Sequence, residues 1–174
     1  MKIHGTAKGG ALSKKDFGVA FSAAAAGPLT YTWSACDSTG DMSLNYNLFI
    51  GARLKDGNTL IGKTITVITC NLKNPASIGG TCVLKCYNED NDLKGGADTS
   101  DTVANSTIGT GYQTVTFDNF SWTVAEDDYF LISPSTGTSM KIFASLEDCN
   151  ADTNIMEGTS DIADYDFIGT ATYS

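Results

Sequence analysis

Three residue types in this chain could carry chemistry: one histidine, five cysteines and 20 carboxylates. A Ser-His-Asp or Cys-His nucleophile needs an imidazole as its base, and the sole one is His4. It lies among Gly5, Gly9 and Gly10, a setting that predicts solvent exposure and not a built site. The carboxylates gather as Glu89-Asp90-Asn91-Asp92, as Glu126-Asp127-Asp128 and across Asp161 to Asp166. Glycoside hydrolysis needs two carboxylates facing one another over a groove, and clusters in loops fit that poorly. Neither GxxxxGK(S/T) nor GxGxxG occurs, so no phosphate-cradling loop is expected. No catalytic residue is assigned, and the chain reads as non-enzymatic.

Two metal chemistries follow from the same residues. Asp37, Asp41, Glu89, Asp90 and Asp92 offer hard oxygen ligands that suit calcium, against the plainer reading of a solvated acidic surface. The cysteines are Cys36, Cys70, Cys82, Cys86 and Cys149, an odd number that cannot pair completely within one chain. Cys82, Leu84 and Cys86 alternate on one face of an expected strand, and Cys70 shares a face with Ile68 and Leu72. Buried free thiols acting as small hydrophobes are the expectation. With no CxxC pair and His4 far away in sequence, a zinc site is not predicted.

The elements that must position these residues are strands. The chain has 174 residues, 18 of them glycine, and only 18% charged residues. That composition suits short strands joined by polar turns in one domain. The net charge of −9 opposes binding to a phosphate backbone, so nucleic acid is not an expected partner. No stretch reaches 18 apolar residues, so membrane insertion is not expected either. The clearest alternation runs from Ser43 to Leu54, with Leu44, Tyr46, Leu48, Ile50, Ala52 and Leu54 on one side. Further strands are expected over Thr64 to Leu72, Thr81 to Asn88, Tyr112 to Phe117, Tyr129 to Ser133, Met140 to Leu146 and Tyr165 to Tyr173. Within Thr64 to Leu72 the apolar phase slips between Val67 and Ile68, which predicts a bulge. Asn88 to Asn105 reads as a long polar loop. Seven or eight strands at this spacing predict an all-β, jelly-roll-like antiparallel β-sandwich over 29–174.

Residues 1–28 differ from the rest. They hold four lysines and one acid, Asp16, on an otherwise acidic chain. Ser13 could cap a short helix ended by Gly27 and Pro28, and a strand over Gly18 to Phe21 is the alternative. The segment from Lys14 to Ala26 also imitates a secretion signal, but its apolar run is broken by Gly18 and Ser22. Either way 1–28 reads as an arm preceding the sandwich.

Five stretches, taken in order, resemble jelly-roll sandwich domains of the carbohydrate-binding-module type. They are LIGKTI from Leu60 to Ile65, GTCVLKCYN from Gly80 to Asn88, GTGYQTVTF from Gly109 to Phe117, VAEDDYFLIS from Val124 to Ser133 and FIGTATY from Phe167 to Tyr173. Such domains occur on surface, secreted and virion-associated proteins of microbes and their viruses, and related sandwiches often hold a structural calcium. The positions of Cys82 and Cys86 are apolar in those domains, which supports buried thiols here. The arm also resembles a leader shared by otherwise varied small microbial proteins, implying an attachment or assembly segment.

These readings predict a structural protein that self-assembles as a homo-oligomer or with other structural subunits. A virion capsid, decoration or fibre component, or an extracellular filament subunit, fits, located on the virion or at the cell surface. The arm would add a strand or helix to a neighbour, with Ile3, Leu12, Phe17, Val19 and Phe21 as its apolar contacts. The alternative is a carbohydrate-binding or adhesion module, which needs an exposed aromatic platform such as Tyr31, Trp33 and Trp122.

Overall fold

The alternating residues become strands packed as a sandwich. The computed structural model describes residues 27–44, 47–94, 98–136, 140–162 and 164–174. The arm, with Ile3, Leu12, Phe17, Val19 and Phe21, lies outside the described residues but for Gly27 and Pro28. The described strands are β1 (Leu29–Trp33), β2 (Thr39–Leu44), β3 (Ile50–Leu54), β4 (Thr64–Lys73), β5 (Thr81–Tyr87), β6 (Val103–Ala104) and β7 (Gln113–Phe117). They continue as β8 (Trp122–Thr123), β9 (Tyr129–Pro134), β10 (Met140–Ser145), β11 (Thr153–Glu157), β12 (Ser160–Ile162), β13 (Asp166–Phe167) and β14 (Gly169–Tyr173). No α-helix occurs among the described residues, only a 3-10 turn at Asn105–Thr107.

All pairings are antiparallel, in two sheets. One runs β12-β11-β3-β9-β5-β6. The other is centred on β4, which pairs with β14 and β10 along one edge and with β7 and β8 along the other. β1 lies outside β14, and β2 lies outside β10. Between β10 and β4 the sheet forks: β13 pairs with Ala144 and Ser145 of β10, and the chain then shifts over to pair β14 with β4.

The inward side chains of both sheets make one core. β5 buries Cys82, Leu84 and Cys86 at alternate positions, and β4 buries Cys70, so these three cysteines are free, buried thiols as expected. Trp33, Phe130 and Phe167 pack together: Phe167 meets Trp33 and Phe130 edge to face at 5.3 and 5.0 Å, Trp33 and Phe130 are tilted at 5.9 Å, and Trp122 adds to Phe130 at 6.0 Å. Such contacts add roughly 1 kcal/mol each beyond the area they bury.

β4 carries a bulge, placed at Thr66 and not between Val67 and Ile68 as expected. Tyr173 pairs with Ile65 and Thr172 with Val67, leaving Thr66 as the extra residue. This lets Ile65 and Ile68, three apart, both point inward.

The expected single strand from Ser43 to Leu54 is instead two. β2 ends at Leu44 in the β4 sheet, and β3 begins at Ile50 in the sheet of β5 and β9. Leu44 and Ile50, six residues apart, are both buried in the shared core.

The expected polar loop from Asn88 to Asn105 is partly ordered against the sheet of β5 and β9. Leu93 bridges to Tyr87, Thr99 bridges to Lys85, and Val103 opens β6. The segment covers the outer side of β9, where Tyr129 stacks on Tyr87 at 5.1 Å and its hydroxyl donates to Asn91. Lys94 donates to the buried Asp128 at 2.7 Å. On this outer side Tyr129 and Leu131 cluster with Met156, Phe49 and Tyr87 while Phe130 and Ile132 face the core, so the four are buried in succession.

Candidate functional site

The outer face of the β4 sheet is built from threonines. Register places Thr32, Thr170, Thr69 and Thr116 side by side across β1, β14, β4 and β7. Thr30 and Thr172 form a second pair, and Asn71 with Thr114 a third. The Thr69 and Thr170 hydroxyls share a hydrogen bond of 2.7 Å, and Thr114 donates to Asn71 at 3.1 Å. Strand spacing of about 4.8 Å and a two-residue repeat of about 6.7 Å set the pitch of this array.

A groove of about 410 Å³ opens on that face, with Thr32, Ser34, Thr69, Asn71, Thr114 and Thr170 among its walls. Gly169 makes it possible. A Cβ there would lie 2.2 Å from the Thr69 carbonyl oxygen and 2.6 Å from the Phe167 ring, so only glycine lets β14 approach β4 directly after the fork. Its hydroxyl and amide groups sit among apolar walls that include Trp33, Ala35 and Ile168, with no formal charge, which suits a neutral ligand with both polar and apolar faces.

A second constellation lies at the end of the sandwich where the fork opens. Cys36, in the segment between β1 and β2, is bridged to Cys149, after β10, with Cα atoms 6.1 Å apart. The sequence reading assigned no pairing to these two cysteines. Cys36 and Cys149 sit in polar segments, not in apolar alternation. Asp166, on β13, is fully buried beside them. Its Oδ2 accepts from the Cys149 N–H at 2.7 Å, the Asn150 N–H at 2.8 Å and the Asn150 amide at 3.0 Å. Its Oδ1 is buried and takes no hydrogen bond. Burial raises the Asp166 pKa, against the lowering effect of those three donors. The backbone N–H of Cys36 donates to the Ser145 hydroxyl at 3.0 Å, fixing the other side of the bridge.

The aromatic platform expected from Tyr31, Trp33 and Trp122 is not formed. Trp33 and Trp122 are each 1% exposed and belong to the core, so neither offers a ring face to a ligand. Strand alternation turns Trp33 inward while Thr30 and Thr32 face out. Trp122 sits on β8, not in a turn, and points under β4. Tyr31 is half-buried, edge-on to Trp33 at 5.2 Å.

The five oxygen donors assigned to calcium are not brought together. Among the described residues, three ligating groups converge within 4.8 Å only at Cys36, Cys149 and Asp166. Glu89, Asp90 and Asp92 are exposed on a turn closed by Asn88, which accepts from the Asp92 N–H through its side chain. Asp37 is exposed in a bend before β2. Asp41 is engaged elsewhere. It pairs with Lys73 at 2.7 Å and accepts from the Tyr112 hydroxyl, and Lys73 and Tyr112 together hold its carboxyl below the usual range. Lys73 also lies over the Tyr112 ring at 4.4 Å, so these groups tie β2 and β4 to the start of β7.

Two features escaped the sequence reading but left a trace in it. The Thr-x-Thr pattern recurs at Thr30/Thr32, Thr114/Thr116 and Thr170/Thr172, on β7 and β14, which flank β4, and on β1 outside β14. The buried Asp166 lies inside a stretch whose other acids read as loop residues, yet that stretch holds β12 and β13. No protein-family model matches the chain, and a search of curated proteins finds no match.

Proposed function

We propose that this chain is a non-enzymatic structural protein that self-assembles, the basic arm of one copy docking on the acidic sandwich of the next. A virion capsid, decoration or fibre component, or an extracellular filament subunit, is the setting this reading favours. The observation that carries it is the open outer edge of β1. Among the described residues that edge pairs with no strand, and β1 begins at Leu29, immediately after the arm. Leu29 is 51% exposed at that edge. An unpaired edge is a template for a further strand, and Ile3, Leu12, Val19 and Phe21 would supply its apolar side chains. Charge supports the same pairing. Residues 1–28 carry four lysines and one aspartate, and residues 29–174 carry seven basic and 19 acidic side chains, giving formal charges of +3 and −12.

The test is deletion of residues 1–28, followed by light scattering on a sizing column. The full chain is expected to elute as an assembly that weakens as salt rises, because the attraction is screened. The truncated chain is expected to elute as a monomer with an unchanged melting transition. A truncated chain that assembles normally overturns this reading.

A second reading rests on the threonine groove: binding of a neutral carbohydrate on the outer face of the β4 sheet. It replaces the aromatic platform with a hydroxyl array. Thr114→Arg would fill the groove from an exposed position, and should abolish glycan-array signals that the unaltered chain gives. An unaltered chain that gives no signal on a broad array counts against it.

A further inference from the structure

We propose that Cys36, Cys149 and Asp166 form a redox-gated zinc site, closed as a disulfide under oxidising conditions and open to the metal once reduced. The sequence holds no CxxC pair to announce it, because the two cysteines are 113 residues apart and meet only through the fork in the β4 sheet. The argument has three parts.

First, the ligand atoms already converge. Both sulfurs and one Asp166 oxygen lie within 4.8 Å of one another. Reduction frees the sulfurs to separate to roughly 3.8 Å, the edge of a tetrahedron with Zn–S of about 2.3 Å. A Cα separation of 6.1 Å accommodates that by side-chain rotation.

Second, Asp166 is prepared as a ligand. Oδ2 is fixed by three N–H donors and lies 4.0 Å from the Cys36 sulfur, while Oδ1 is buried and has no partner. The carboxylate is thus anchored with Oδ2 toward the sulfurs, where a cation held between the two thiolates meets it. Ligating carboxylates are typically hydrogen-bonded in turn, which fixes their orientation. Two of the three donors come from Cys149 and Asn150, so the same contacts hold a sulfur and the carboxylate in register.

Third, the site is reachable. Cys149 is exposed and Cys36 half-buried, so reductant and metal both have access. Cys70, Cys82 and Cys86 are buried in the core, where desolvation raises all three thiol pKa values, that of Cys82 to about 12. They do not compete for metal.

The chemistry balances as follows. A dithiol reductant gives two electrons and two protons to the Cys36–Cys149 bond and is itself oxidised to a disulfide. Zn²⁺ then displaces the two thiol protons to solvent, and two thiolates, Asp166 and one water complete a four-coordinate site. Two thiolates select zinc over calcium, whose ligands are oxygens.

The experiment uses the full chain, reduced with a phosphine that does not itself hold zinc, and titrated with zinc against a chromophoric chelator. The reduced protein is expected to take one zinc per chain and the oxidised protein none. Cobalt in place of zinc should give a thiolate-to-metal charge-transfer band. Cys36→Ser/Cys149→Ser should abolish both signals, and Asp166→Asn should weaken zinc binding at least tenfold. No zinc on the reduced chain, retention of zinc by the serine variant, or equal affinity in Asp166→Asn would each overturn the proposal. If reduction alone unfolds the chain, zinc must restore its melting transition, and failure to restore it is equally fatal.

Discussion

Removing the Cys36–Cys149 bridge isolates a term whose size follows from one structural number. The bridge spans 113 residues. In the chain-entropy treatment a crosslink over that span restricts the unfolded ensemble by roughly 5 kcal/mol at 25 °C. A domain of this length loses about 2–4 °C in melting temperature per kcal/mol. Reduction in the presence of a metal chelator is therefore expected to lower the melting temperature by roughly 10–20 °C. Scanning calorimetry with and without a phosphine reductant measures this directly. Cys36→Ser/Cys149→Ser should show the same drop, and reductant should not lower it further, because the other three cysteines are free thiols in the core. A drop of less than about 3 °C would refute the loop-closure reasoning. It would mean that Asp166 and Ser145 hold the two segments together almost as firmly without the bond.

Two other outcomes follow from neighbouring geometry. Burial raises the folded pKa of Asp166 above its unfolded value near 3.8, so the stability linked to this group is fully present below that pH and is lost as pH rises through the folded value. Asp166→Asn removes the titration while its amide oxygen can still accept the three N–H bonds, so melting temperature should decline less with pH above 3.8 in the variant; parallel curves would contradict this. Gly169→Ala forces a Cβ against the Thr69 carbonyl and the Phe167 ring, and should cost about 2–3 kcal/mol, read as a lower denaturation midpoint at an unchanged m-value. A midpoint equal to that of the unaltered chain would show that β14 can shift without penalty.

Alternation made much of the sandwich legible, and its blind spots have physical causes. The bulge in β4 showed because one inserted residue changes the parity of buried positions, as Ile65 and Ile68 do. The change of sheet between β2 and β3 did not show, because Leu44, Tyr46, Leu48 and Ile50 alternate through it in the sequence. Trp33 and Trp122 were ambiguous, since an aromatic on a strand can face either way until its neighbours are known. Thr30 and Thr32, facing out on either side of Tyr31, decide the matter for β1. Cys36, Cys149 and Asp166 are distant in sequence and meet through the fork, which depends on where the chain leaves β10 for β4. No local pattern encodes that choice.

The register of β1 on β14 has a mechanical consequence. Leu29 pairs with Tyr173, so a pull applied through Gly27 and Ser174 loads one end of the ribbon and unzips its pairs one at a time, a geometry of low resistance. Unzipping proceeds only until tension reaches Cys36 and Cys149. From there the covalent bond carries the force, and the 113-residue span between the cysteines, which includes β4, β5, β9 and β10, bears none of it. At about 3.5 Å per extended residue, the bridge withholds roughly 400 Å of extension. The protein under load is thus a short, compliant tether in series with a shielded core, and reduction of one bond converts it into a tether several times longer.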